Sequence, residues 1–192
     1  FIDIDRVGIY GHSGGGFMST AALVVPPYND FFKVAVSSSG NHDNNIYNQN
    51  WSEKHHGVKE VVVEEDSGGR RRISNMSGNG SNVLESQEDD GETEIRFEID
   101  VPSNTDMAEN LKGHLLLTTG TIDNNVHPGN TVRMVNALIR ANKRFDYMVL
   151  PGQRHGTGSM TEYFTKMLWD YFAEHLIGDS HSNVNMFDYI KK

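Results

Sequence analysis

Arg6-Val7-Gly8-Ile9-Tyr10-Gly11-His12-Ser13-Gly14-Gly15-Gly16 opens as a β-rich run and breaks into glycine around a single serine. Arg6 to Tyr10 reads as a strand. Phe17 to Val25, small and apolar until Pro26-Pro27 stops it, reads as a buried helix. Gly11-x-Ser13-x-Gly15 therefore lies at a strand-to-helix turn, the setting in which a serine is held exposed on a strained elbow as a nucleophile. Small residues on either side keep strand and helix from colliding, and the Gly14 N–H, next to the helix N-terminus, is placed to point into an oxyanion hole. A glycine-rich turn can instead cradle phosphate, but that pattern needs a Lys before its Ser or Thr, and position 18 is Met.

Reading outward, strands and helices alternate. Lys33 to Ser37 and Leu115 to Gly120 are apolar on both faces, as central parallel strands are. Pro128 opens a helix to about Asn142, with Val132, Val135, Leu138 and Ile139 at helical spacing. Phe145 to Leu150 reads as a strand and Thr161 to Leu176 as an amphipathic helix rich in aromatics, whereas Asn41 to Gly57 reads as loop and short helix. The expected class is α/β, a doubly wound, mostly parallel sheet of the α/β-hydrolase kind. Residues 1–178 are expected to form the C-terminal part of such a domain, with 179–192 as a tail. One region breaks the alternation. Val61-Val62-Val63 and Ile95, Phe97 and Ile99 alternate like hairpin strands, and Asp66 to Thr93 between them has almost no apolar content, which predicts a mobile acidic excursion without a role in binding.

The chain has 192 residues, enough for one well-filled domain. A formal charge of -9 argues against a nucleic-acid or anionic-membrane surface, and no apolar stretch is long enough to span a bilayer. There is no cysteine, which excludes disulfides, thiolate chemistry and cysteine-ligated metals. The opening at Phe1-Ile2-Asp3-Ile4-Asp5 shows no initiator Met and no signal peptide, and predicts the C-terminal portion of something longer. The strand at Arg6 to Tyr10 would then lack an upstream partner, and a homo-oligomer is one outcome expected of such an open edge.

A serine hydroxyl needs a base to take its proton and an acid to hold that base in the right tautomer. In α/β-hydrolases these follow in the order Ser, Asp or Glu, His. Asp123 lies just beyond a strand in Thr119-Gly120-Thr121-Ile122-Asp123-Asn124-Asn125-Val126-His127-Pro128, and His155 follows the next in Pro151-Gly152-Gln153-Arg154-His155-Gly156. Loops beyond the carboxyl ends of parallel strands are where such sheets place their sites. His12 is expected to pack beside the elbow and His127 to fix the Asp123 loop. The adjacent His55-His56 lack the spaced acidic partner a metal would need. His42, His114, His175 and His181 show no constellation, and no metal or cofactor is called for.

Gly11-His12-Ser13-Gly14-Gly15-Gly16, Gly120-Thr121-Ile122-Asp123-Asn124-Asn125-Val126-His127 and Arg154-His155-Gly156 together resemble the catalytic domain of the prolyl oligopeptidase family, with its dipeptidyl peptidase IV branch most alike. The resemblance implies a serine peptidase acting on peptide substrates, with Ser13 as nucleophile, Asp123 as orienter, His155 as general base and Gly14 N–H as an oxyanion donor. It also implies that Asn125 and Val126 line the primary specificity pocket, with Tyr47 and Trp51 as its aromatic lining, and that release of proline-containing dipeptides is the reaction. A periplasmic or secreted compartment is implied likewise. The nucleophile-to-acid interval is longer than the family's. The family's β-propeller, with its amine-gripping acidic pair, and the upstream tyrosine that supplies a second oxyanion donor match no residues of this chain. An esterase or lipase of the same fold, and a fragment that only binds, remain as alternatives.

Overall fold

Val34–Ser38 and His114–Gly120 lack polar alternation, so both faces need cover, and they form the central strands of a four-stranded parallel sheet. The computed structural model describes residues 2–65, 71–75, 94–180 and 186. In chain order the elements are β1 (Gly8–His12), α1 (Gly14–Val24), α2 (Tyr28–Phe31), β2 (Val34–Ser38), α3 (Gln49–His56), β3 (Lys59–Glu65), β4 (Arg71–Asn75), β5 (Glu94–Glu98), β6 (His114–Gly120), α4 (Gly129–Arg140), β7 (Asp146–Leu150) and α5 (Thr161–Phe172). They divide into two compact units, Phe1–Tyr47 with Pro102–Lys192, and Asn48–Val101.

The first unit holds the parallel sheet in the order β1-β2-β6-β7. Alternate residues of a strand point to opposite faces, and each face has its own core. Ala35, Leu115 and Leu117 pack with Leu23 and Val24 of α1 and with Met134 and Leu138 of α4. Val34, Val36 and Leu116 pack with Phe164 and Tyr171 of α5. Helices thus cover both faces, as a doubly wound sheet requires. In α4 the inward stripe is Thr131, Met134 and Leu138. Val132 and Ile139, expected inside from their spacing, are 51% and 63% exposed. The helical period puts 131, 134 and 138 on one line, and that line faces the sheet. Among the described residues no helix is long and apolar enough to cross a membrane.

The second unit contains α3 and an antiparallel sheet in the order β4-β3-β5. The Asn48 side chain caps α3 by accepting from the Trp51 N–H, and Gly57 at φ 78 ends it. The paired flanks are β3 and β5, with Val62 registered opposite Ile95. Most of the expected excursion lies outside the described residues, but 71–75 form a strand, β4, against β3. Its register sets Glu64 opposite Arg72 and Glu65 opposite Arg71. A polar, charged composition had hidden this pairing, because a strand needs a matching neighbour more than it needs a run of apolar residues. The tail after residue 180 likewise lies outside the described residues apart from Met186.

Candidate active site

Ser13 joins β1 to α1 with φ 59 and ψ -121, a conformation that L-residues rarely adopt. Neighbouring backbone holds it there. Its N–H donates to the Ser38 carbonyl at 2.8 Å, and its carbonyl accepts from the Phe17 N–H at 3.1 Å. A Cβ on Gly11 would stand 2.1 Å from the Gly15 carbonyl oxygen, so only glycine lets the strand pass so close to the helix. The helix accordingly begins at Gly14, three residues before the apolar run that announces it in the sequence. The Gly14 N–H is one of those that a helix start leaves without an internal partner.

Three loops meet at the carboxyl ends of the strands. Ser13 Oγ lies 2.9 Å from His155 Nε2, and His155 Nδ1 lies 2.8 Å from Asp123 Oδ2. The Asp123 side chain is fully buried. Its second oxygen accepts from the N–H groups of Asn125 and Val126 at 2.9 and 3.0 Å, so the loop that carries the carboxylate also satisfies it. With Asp123 on Nδ1, the imidazole presents Nε2 to the serine, the tautomer a base needs in order to take the hydroxyl proton. His127 Nδ1 accepts from the Gly129 N–H at 3.0 Å within this same stretch of chain.

Around this chain of bonds the loop after β2 is polar yet buried from Ser39 through Asn44. The Tyr47 hydroxyl donates to Asn125 Oδ1 at 2.7 Å, and Arg133 of α4 reaches Asp43 at 3.3 Å. Burial first, and the Asp123 charge second, push the Tyr47 phenol up, so it remains a donor. Val126 is buried and Asn125 is exposed. Trp51 belongs to the second unit, where its ring lies 4.5 Å from that of His55 and 5.5 Å from that of His56.

Asp43, Asn104 and Arg133 escaped the sequence reading, and His42, set aside there, is fully buried in the loop after β2, its carbonyl accepting from the Asn104 N–H at 2.9 Å. A run of small polar residues directly after an apolar central strand was the available signal. His12 Nδ1 is 3.1 Å from Ser38 Oγ, and its ring is 4.8 Å from that of His155. His114 and His175, which showed no constellation in the sequence, stack at 3.9 Å at the opposite end of the sheet, beside Tyr171.

A parallel sheet wound on both faces, with a serine on a strained elbow, defines an α/β-hydrolase. The sequence pattern of the prolyl oligopeptidase family matches residues 1–88 and 80–179, and the chain belongs to that family. It is 27% identical over 178 residues to dipeptidyl peptidase 8 of Mus musculus, an alignment covering 92% of this chain and 16% of that protein. It is also 28% identical over 163 residues to dipeptidyl peptidase family member 1 of Caenorhabditis elegans, covering 84% of this chain and 16% of the relative. The chain thus spans 16% of the length of these curated relatives. Among solved structures, a Bacteroides ovatus protein assigned as a dipeptidyl aminopeptidase IV matches with TM-score 0.66 at 22% identity, over 92% of this chain and 20% of that one. Porphyromonas gingivalis dipeptidyl peptidase 4 matches with TM-score 0.60 at 24% identity, over 89% and 20%. At these identities the structures speak for the fold.

Proposed function

We propose that this chain carries the catalytic site of a serine peptidase that hydrolyses peptide bonds through an acyl-enzyme, releasing proline-containing dipeptides. The observation that carries the reading is the bonded chain from Ser13 Oγ through His155 to Asp123, mounted on the strained elbow. Ser13 Oγ attacks the carbonyl carbon while His155 Nε2 takes its proton, and Asp123 stabilises the imidazolium that forms. The oxyanion is met by the Gly14 N–H at the start of α1. Collapse breaks the C–N bond as Nε2 returns the proton to the leaving amine. Water, activated by the same nitrogen, then releases the acyl group. Atoms and charge balance with water alone, so the reaction calls for no metal or cofactor.

Substrate choice rests on Asn125, Val126 and Tyr47. With its oxygen occupied by Tyr47, the Asn125 side chain offers its amide N–H groups to a substrate carbonyl. Tyr47 and Val126 supply flat or branched surface suited to a proline ring. Support for dipeptide release comes from family membership and from the dipeptidyl peptidases among the relatives. The test is to treat the full natural polypeptide with a fluorophosphonate and to assay it on an X-Pro dipeptidyl amide and on an acyl ester. Labelling at Ser13 with turnover of the amide is expected. Turnover of the ester alone would make it an esterase of the same fold, and failure to label would remove the enzymatic reading.

A further inference from the structure

The bond from Tyr47 to Asn125 joins two loops and is exposed to solvent. Water competes for such a bond, so it forms only as far as the two backbones already stand in place. On the Asn125 side that place is fixed. The Asn125 N–H is held by Asp123 Oδ1 at 2.9 Å, and the loop runs straight into α4, with the Asn130 N–H donating to the His127 carbonyl at 2.9 Å. On the Tyr47 side, the start of the loop is held by the Ser39 N–H on the Thr118 carbonyl and by the Asn104 N–H on the His42 carbonyl. The next residue along is Asp43.

Asp43 divides its two oxygens. Oδ1 accepts from the Asn45 N–H and from Asn45 Nδ2, both at 3.1 Å, which closes a turn just ahead of Tyr47. Oδ2 accepts from Arg133 Nη2 of α4 at 3.3 Å. The Asp43 side chain is 11% exposed, whereas that of Arg133 is 58% exposed. An ion pair with one partner largely in water holds weakly, so most of the grip lies in the two turn bonds and the pair adds direction. Asp43 and Tyr47 thus fasten one loop at two points to one stretch of chain, the Asp123 loop and the helix that follows it. We infer that Asp43 is a positioning residue for substrate binding: through the turn at Asn45 and the contact with Arg133 it sets the reach of Tyr47 to Asn125. The inference rests on the peptidase reading above. The Asp43 carboxylate bonds to Asn45 and Arg133 and not to Ser13, His155 or Asp123, so its removal should show in KM rather than in kcat.

In the full natural polypeptide, Asp43→Ala is expected to raise KM for a dipeptidyl amide about fivefold, with kcat within about twofold of wild type. Asp43→Asn keeps an oxygen for Asn45 and should hold KM within about twofold. A double-mutant cycle with Tyr47→Phe, in which the bond to Asn125 is already gone, separates positioning of Tyr47 from a general loss of stability. In that background Asp43→Ala should raise KM by less than about twofold. A KM for Asp43→Ala within about 1.5-fold of wild type would overturn the inference, as would a rise that persists undiminished beside Tyr47→Phe. If Asp43→Ala does not fold, Arg133→Glu, an exposed change that sets a carboxylate against Asp43, decides by the same cycle. It should raise KM about threefold alone and less than about 1.5-fold beside Tyr47→Phe, and equal rises in both backgrounds would again overturn the inference. Fluorophosphonate labelling of the wild type separates the two ideas: no label removes the peptidase reading and this inference with it, whereas a labelled wild type with additive substitutions removes only the role of Asp43.

Discussion

The Tyr47 hydroxyl donates to Asn125 Oδ1 across 2.7 Å, which ties the loop after β2 to the loop that carries Asp123. The Asn125 N–H in turn donates to Asp123 Oδ1 at 2.9 Å, so the residue proposed for the pocket and the carboxylate proposed to orient His155 share one short piece of backbone. Tyr47→Phe removes the tie and leaves the ring. KM for a dipeptidyl amide should rise about three- to tenfold with kcat nearly unchanged, because the lost group orients the ground state and the transition state alike. Steady-state kinetics read this directly. Stability should move by less than about 0.5 kcal/mol, since the pair is exposed.

Ser13→Ala should abolish turnover while leaving the fold intact. Ser13→Gly should do the same and raise the melting temperature, because glycine adopts φ 59 without the steric cost that serine bears. Part of that gain, about 0.5–1 kcal/mol, is offset by the greater chain entropy of unfolded glycine. A melting temperature below that of wild type in Ser13→Gly would contradict strain at the elbow.

The motif glycines should separate under substitution. Gly11→Ala drives a Cβ to 2.1 Å from the Gly15 carbonyl oxygen and should cost about 3 kcal/mol or more. Gly15 meets nothing within 4 Å and lies in α1, so Gly15→Ala should be neutral or stabilising by up to about 1 kcal/mol. Chemical denaturation of both variants gives the comparison.

His42 should govern part of the acid sensitivity. It is fully buried, and burial pulls its imidazole down from 6.5 to about 3. Between these values the unfolded chain binds a proton that the folded chain does not, so stability rises with pH across this window and levels off above it. Acidification from 6.5 towards 3 should therefore cost up to about 1.4 kcal/mol per pH unit from this group alone. In His42→Gln the slope of stability against pH should flatten in that window.

Residues 66–93 should be dispensable for chemistry. Val63 is registered opposite Glu94, so Glu64 and Glu65 with about two added residues can close a short hairpin loop that leads directly into β5. Replacing 66–93 with such a turn removes β4 and keeps the β3–β5 pair. Turnover of a dipeptidyl amide should stay within about threefold of wild type, and a collapse with an unchanged circular dichroism spectrum would mean that this stretch serves the site.

The alternation of strands and helices, the elbow at Ser13 and the order Ser13, Asp123, His155 were all legible in the amino-acid sequence, for local reasons. Apolar runs such as Val34 to Val36 and Leu115 to Leu117 report burial on both faces, and Gly11 reports a close crossing of backbone. Other features are relations between residues far apart in the chain, to which no local pattern corresponds. The choice of Thr131, Met134 and Leu138 over Val132 and Ile139 as the inward stripe of α4 depends on where the sheet lies. The bonds of Tyr47 to Asn125, Arg133 to Asp43 and His12 to Ser38 depend on three loops arriving at one end of that sheet. The pairing of β4 with β3 was hidden because its composition is polar and only the register makes it a strand. Sequence marked the residues proposed for the chemistry, because propensity and periodicity act within a few residues of chain. Tertiary structure decided which side chains hold them in place, because hydrogen bonds and packing act through space.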